Sequence, residues 1–413
     1  MSTTVFFAFA STRRRMYAGP LGPYVDELIT QLQGQGYARH SIRCKIRVTA
    51  DFSRWLDKRH LSADVVDADR VQRFLAHRKR TARCALGDTA ALQQMADRLL
   101  LKQVTEPPAR SSALNERELV EQDFCKHLVQ DQGLTPSTLA CYLRHVSRFL
   151  REHFGDGPVR FDQLVCADIT GFIRRHARGH SYSRAKQVVT ALRSFLRHLH
   201  LRGRIAIDLT SCVPRVAHWS LAQLPTFLSP DQVNRVLKLC DRRSAIGRRD
   251  YAMLLLLARL GLRVGEVAAL TLDEINWQYG ALTIRGKGGR WTQMPLPQDV
   301  GEAIVDYLEN GRPSCTDRHL FICAHAPRRG FRSANRISTI ASRALTRAGI
   351  DHPRAGAHIF RHALATEMLR QGASLSEIGQ LLRHQHPDTT RIYTKVDLTA
   401  LRPLAMPWPG GAR

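Results

Sequence analysis

The stretch His358-Ile359-Phe360-Arg361-His362, followed by Leu382-Arg383-His384 and Thr389-Thr390-Arg391-Ile392-Tyr393, gathers imidazoles, guanidinium groups and a phenol in one C-terminal segment. His358 and Arg361 lie three residues apart on a run that reads as a helix ending at Gly372, so both project from one face and can share an anionic ligand. A second helix begins at Ser374, whose hydroxyl and Glu377 have capping-box spacing, and His384 follows its last turn. Pro387 suits the first position of a short helix carrying Tyr393. His358 and His362 also have the i,i+4 spacing of metal ligands. No acidic residue sits between or near them, as a zinc hydrolase would require, so a metal site is not expected.

Upstream, Ser229 caps a helix that Pro230 opens, and Tyr251 to Leu260 is an almost continuous apolar run, too short for a membrane and read as a central buried helix. Gly261 ends it. The next residues put Arg263 in a tight turn at the start of another helix, with Glu266 one turn on and able to hold the guanidinium fork in one orientation. Residues 281–285 and 291–294 alternate as two strands around Gly286-Lys287-Gly288-Gly289, a hairpin with a lysine at its tip. A basic helix over 332–348, with Arg332, Arg336, Arg343 and Arg347, leads back to His358.

The order His-x-x-Arg, Leu-x-His and Thr-Thr-x-x-Tyr, with the tyrosine nine residues after that histidine, resembles the tyrosine recombinases, also called phage-type integrases. The Arg263 turn resembles the family's first arginine box, and Lys287 stands where the family carries a mobile lysine. The resemblance covers roughly residues 225–400. It implies catalytic roles for Arg263, Lys287, His358, Arg361, His384 and Tyr393, with Glu266 as an orienting residue. In those roles the arginines and His384 hold the non-bridging oxygens, Tyr393 attacks to form a 3′-phosphotyrosine as its proton passes to His358, and Lys287 protonates the leaving 5′-oxygen. One position departs from the pattern: Arg383 stands where the family usually has glycine before the histidine.

The charge of +26 over 413 residues is spread along the chain, about +9 for residues 1–110, +6 for 111–225 and +11 for 226–413. Basicity in every part, rather than in one tail, suits a body that surrounds a polyanion, and double-stranded DNA is the expected partner. Residues 22–80 read as helices, the second carrying Arg43, Lys45 and Arg47. Residues 118–200 repeat the plan: Ser53-Arg54-Trp55-Leu56 matches Ser147-Arg148-Phe149-Leu150, and Val71, Phe74 and Leu75 match Ile169, Phe172 and Ile173. The second unit ends in an amphipathic helix with Val188, Leu192, Phe195 and Leu199 on one side and Arg184, Lys186, Arg193 and Arg197 on the others. In position it resembles the family's core-binding domain, one half of a clamp on the duplex.

The expected architecture is therefore mainly α, with a small β-hairpin or sheet in the catalytic domain, arranged as a multi-domain C-shaped clamp. Its parts are an N-terminal helical unit at 1–110, a core-binding unit at 111–205, a linker at 206–225 and a catalytic domain at 226–413. Nine cysteines, odd in number and without a Cys-x-x-Cys pair, suggest reduced core thiols in a cytosolic protein. The apolar run Val5 to Ala10 precedes its arginines, the wrong order for a signal peptide, and no stretch is long enough to span a membrane. The function implied is that of a site-specific recombinase or integrase working as a multimer, a tetramer by resemblance, on a mobile element or phage genome. A DNA-relaxing topoisomerase of similar chemistry and a catalytically silent DNA-binding protein of the same fold are the alternatives.

Overall fold

The computed structural model describes residues 6–81, 85, 87–105, 115–155, 157–177, 179–216, 227–286, 289–331, 333–351 and 356–396. The chain forms two compact units, one of Pro107–Ala222 and a second that joins Met1–Glu106 to Gln223–Arg413.

The N-terminal helices are α1 (Ala10–Met16), α2 (Val25–Gly34), α3 (Arg39–Asp57), α4 (Ala68–Thr81) and α5 (Asp88–Leu101). Apolar residues at helical spacing give them their own core, in which Leu28, Leu32, Ile46, Phe52, Phe74 and Leu92 are buried. This group touches the C-terminal part of the chain where the Arg328 N–H donates to the Gln35 carbonyl at 2.9 Å. Gly36, at φ +76°, leaves room for the Arg328 side chain, which a Cβ there would strike.

Unit 107–222 holds α6 (Glu116–Gln130), α7 (Pro136–Phe154), α8 (Cys166–Ala177) and α9 (Tyr182–Leu201) around Phe124, Phe149, Phe172 and Phe195. The internal repeat appears as matched helices. α3 and α7 both run 19 residues, and Val71, Phe74, Ile169 and Phe172 are all core positions at equivalent places in α4 and α8. The cysteines differ from expectation. Cys166 and Cys212 are joined as a disulfide, Cys44 is exposed, and Cys240 alone among the described free thiols is buried. Scattered spacing in sequence carries no sign of this pair, because the start of α8 and the 3₁₀ turn Leu209–Cys212 meet only in the folded unit.

The C-terminal part contains α10 (Pro230–Lys238), α11 (Ala245–Arg259), α12 (Val264–Ala269), β1 (Ile275–Asn276), β2 (Ala281–Arg285), β3 (Trp291–Pro295), α13 (Gln298–Asn310), α14 (Asn335–Arg347), α15 (His358–Arg370) and α16 (Leu375–Leu381). Ser229 and Ser374 form the expected capping boxes, with Gln232 and Glu377. α11 is the central helix, and Ala252 to Ala258 are buried all round, as its unbroken apolar run requires. The antiparallel hairpin pairs Ala281 with Pro295 through to Arg285 with Trp291. β1, a two-residue strand paired to β2 and too short to carry its own alternation, was not legible from sequence. Tyr393 lies on a separate 3₁₀ turn, Arg391–Val396, rather than on the turn that Pro387 opens. No described helix is long and apolar enough to cross a membrane.

Candidate active site

α11 delivers the first element of the site. Its apolar run ends at Leu260, Gly261 takes φ +55°, and α12 starts immediately with Arg263 at its N-cap. The Arg263 N–H and Nη1 donate to Oε2 and Oε1 of Glu266, both at 2.8 Å, and Nη2 donates to the Arg383 carbonyl at 3.3 Å. Glu266 is 7 % exposed. Burial pushes its carboxyl pKa up, but the Arg263 N–H and the Arg383 and Arg263 charges outweigh that and hold it below the usual range.

α15 delivers His358 and Arg361, three residues apart on its first turn. Arg361 is 6 % exposed and donates from Nη1 to the Gly261 carbonyl and from Nη2 to the Leu382 carbonyl, so it ties the α11–α12 turn to the end of α16. Burial, then the charges of Arg263 and Arg383, push its pKa down to about 10, which leaves it cationic at neutral pH. His358 sits exposed at the helix start, and partial burial of its ring, then the Arg361 and Arg263 charges, lower its pKa.

His384 follows α16, with its N–H on the Gly379 carbonyl at 2.9 Å and its Nδ1 2.7 Å from the Thr390 hydroxyl. Burial, followed by the charges of Arg361, Arg263, Arg383 and His362, pushes its pKa down to about 4, so the ring is neutral at physiological pH. Tyr393 is 1 % exposed, and burial raises its phenol to about 12 against the lowering charge of Arg361. Its hydroxyl lies 3.1 Å from Nδ1 of His362. This differs from the expectation that paired the phenol with His358. One helical turn sets His362 beside His358 on α15, and the 3₁₀ turn brings Tyr393 to His362. Sequence spacing weighed His362 only as a metal ligand. Its position directly after Arg361 was the available signal.

Arg263, Arg383 and His384 line a cavity of about 530 Å³, together with Gly286, Arg290 and Thr292. Lys287 lies outside the described residues, and Gly286 and Arg290, which bracket that hairpin tip, face the same cavity. A concavity walled by guanidinium groups and a neutral imidazole suits one phosphate diester. Among the described residues no group of three His, Cys, Asp or Glu side chains could hold a metal ion.

The basic residues expected to contact DNA divide in two. Arg47, Arg184, Lys186 and Arg197 are exposed, and Arg43 is partly covered by Phe7. Lys45 turns inward, donating to Gln94 at 2.9 Å above the Tyr37 ring, and burial lowers its pKa. Arg193 donates to the Val213 carbonyl at 2.9 Å and anchors the segment after α9. A helical wheel cannot separate these roles, because the neighbours of Lys45 and Arg193 come from distant sequence. Arg144 and Arg148, which are not among the expected DNA contacts, line a basic cavity of about 250 Å³ with Arg184.

Residues 226–399 match the phage integrase family. The y4rA protein of Sinorhizobium fredii, named for an integrase/recombinase by assignment, is 43% identical over 399 residues, 96% of each chain. The tyrosine recombinase XerD of Listeria monocytogenes is 30% identical over 297 residues, covering 69% of this chain and 96% of its own. A crystal structure of the XerH site-specific recombinase bound to palindromic difH substrate aligns with a TM-score of 0.56 at 19% identity, covering 82% of this chain and 94% of that one, a likeness of fold. With the arginine, histidine and tyrosine boxes folded into one site and a relative matched along nearly its whole length, this chain belongs to the phage integrase family of tyrosine recombinases.

Proposed function

We propose that this protein is a site-specific recombinase that cleaves and rejoins double-stranded DNA through a covalent 3′-phosphotyrosine at Tyr393. The observation that carries the reading is the convergence of Arg263, Arg361 and His384, with the Tyr393 phenol within the field of Arg361 and hydrogen-bonded to His362, next to Arg361 in sequence. Tyr393 attacks phosphorus, the bond to the 5′-oxygen breaks, and the phenol proton passes to His362, the imidazole already within hydrogen-bond reach. Arg263, Arg361 and His384 hold the non-bridging oxygens, His358 adds a further donor, and Lys287 protonates the departing 5′-oxygen. The phosphotyrosine retains the bond energy, so a 5′-hydroxyl of another strand can reverse the step without a nucleotide cofactor.

Arg47, Arg184, Lys186 and Arg197, with Arg144 and Arg148, supply phosphate contacts. The helical unit 1–110, core-binding unit 111–205, linker 206–225 and catalytic domain 226–413 act together on the duplex in the cytoplasm as a multimer, serving a mobile element. XerH and XerD are recombinases by name, which supports the reaction class without fixing the target.

The test begins by selecting a duplex from a random-sequence pool by binding to the full-length protein. A nicked version of that duplex, incubated and then denatured in detergent, yields a protein–DNA adduct with the native chain and none with Tyr393→Phe. Failure of the native chain to form any adduct would reduce the protein to a DNA-binding member of its family.

A further inference from the structure

Arg383 occupies the place of the family's usual glycine, and the structure shows why a glycine fits there: its φ is +54°, in the left-handed region that L side chains rarely adopt. The chain nonetheless places its longest cationic side chain at this point and buries it, with 8 % of the side chain exposed. Nη2 donates to Oε2 of Glu266 at 2.9 Å, and Nη1 donates to the Leu381 carbonyl at 3.1 Å and touches Sδ of Met294 on β3. The Arg383 carbonyl accepts from Nη2 of Arg263. Its buried Nε–H has no partner. Such a residue is held for its charge and its fork rather than for a fully satisfied fit.

Glu266 is the centre of this arrangement. One oxygen accepts from Nη1 of Arg263 and the other from the Arg263 N–H and Nη2 of Arg383. With glycine at 383 the carboxylate would neutralise Arg263 alone. With arginine there it is shared, and the cavity gains one net positive charge. Arg383 is also one residue from His384, so the pairing with Glu266 fixes the turn that aims the imidazole.

We propose that Arg383 is a positioning residue for strand cleavage: by sharing Glu266 with Arg263 and clamping the left-handed turn before His384, it orients both phosphate ligands and raises the positive charge of the site. This rests on the recombinase reading of the same cavity. The role belongs to the cleavage step more than to duplex affinity, because the guanidinium spends its donors on Glu266 and the Leu381 carbonyl, and one charge in the cavity adds little to the many phosphate contacts elsewhere.

The test uses the full-length protein and the selected nicked duplex, with Arg383→Gly, Arg383→Lys, Glu266→Gln and the double variant Arg383→Gly/Glu266→Gln. Single-turnover cleavage at saturating protein, duplex affinity and thermal midpoint are measured for each. Arg383→Gly removes the guanidinium while permitting the backbone conformation, and it should cleave at least about tenfold slower with affinity changed less than about twofold. Arg383→Lys keeps one charge without the fork and should fall between that variant and the native chain. Glu266→Gln should slow cleavage much less in the Arg383→Gly background than alone, a coupling that general destabilisation does not produce. Native-like cleavage by Arg383→Gly, or full additivity with Glu266→Gln, overturns the proposal. Should the glycine variant fail to fold, Arg383→Lys decides: slowed cleavage at an unchanged midpoint supports the role and native-like cleavage overturns it. If the native chain itself forms no adduct, it is the recombinase reading that fails, a result distinct from a normal native adduct with an indifferent Arg383.

Discussion

At the scale of single residues, proton positions decide what the site can do. His384 is held neutral down to about pH 4, while an imidazole in the unfolded chain protonates near 6.5. The unfolded state therefore binds more protons between these values, so the stability contributed by His384 is complete above about pH 6.5 and lost as pH falls towards 4. Urea unfolding across pH 7 to 4 should show this decline, and His384→Asn should flatten part of it, with the slope from His358 remaining. An unchanged slope in the variant would place the titration elsewhere. Lys287 carries a different proton. If it serves the 5′-alkoxide, Lys287→Ala should slow cleavage with little loss of binding, and a 5′-bridging sulfur should restore it, since a thiol of pKa about 8.5 leaves without a donated proton. Arg361→Ala should stay impaired on the same substrate, because its missing contribution is to the phosphorane. Equal rescue of both variants would remove the general-acid role. The residue types of the site were readable in order along the sequence. The His362–Tyr393 hydrogen bond was not, since it depends on how a 3₁₀ turn meets α15.

At the scale of elements, the junction of α11, α12, α15 and α16 does the positioning. Gly261 turns at φ +55°, its carbonyl accepts from Arg361, and a Cβ there would meet Leu382 Cδ2 at 2.7 Å and Leu364 Cδ2 at 3.1 Å. Gly261→Ala combines a strained backbone with a clash in the small core around Leu382 and Tyr393, and should cost about 1–3 kcal/mol of stability. Cleavage should fall with it, because the same shift moves Arg361. Thermal melting and adduct yield check this, and a native-like midpoint would show that the turn is less constrained than described. The helices themselves were legible because capping boxes at Ser229 and Ser374 and the apolar run of α11 are local signals. What α12 and the turn after α16 share through Glu266 and Arg383 is a contact between residues 117 positions apart, which no local pattern encodes.

At the scale of the whole molecule, basic charge is distributed over all parts of the chain, and exposed arginines occur on α3, α7 and α9. Six or more phosphate contacts should reduce duplex affinity by about 10³-fold or more between 50 and 200 mM salt, measured by titration on the selected duplex. A nearly flat response would contradict an extended DNA contact while leaving the active site untouched. Composition alone made DNA the expected partner. Which cations remain free for it became clear only once Lys45 and Arg193 were seen to be engaged inside their own units. The central claim is that the entire chain becomes joined to one DNA strand through a single phenol. Digesting the trapped adduct with trypsin and nuclease and sequencing the modified peptide by mass spectrometry tests it most directly. The account predicts a nucleotide 3′-phosphate on Tyr393 within Ile392–Lys395, and a nucleotide on any other residue, or linkage through a 5′-phosphate, would contradict it.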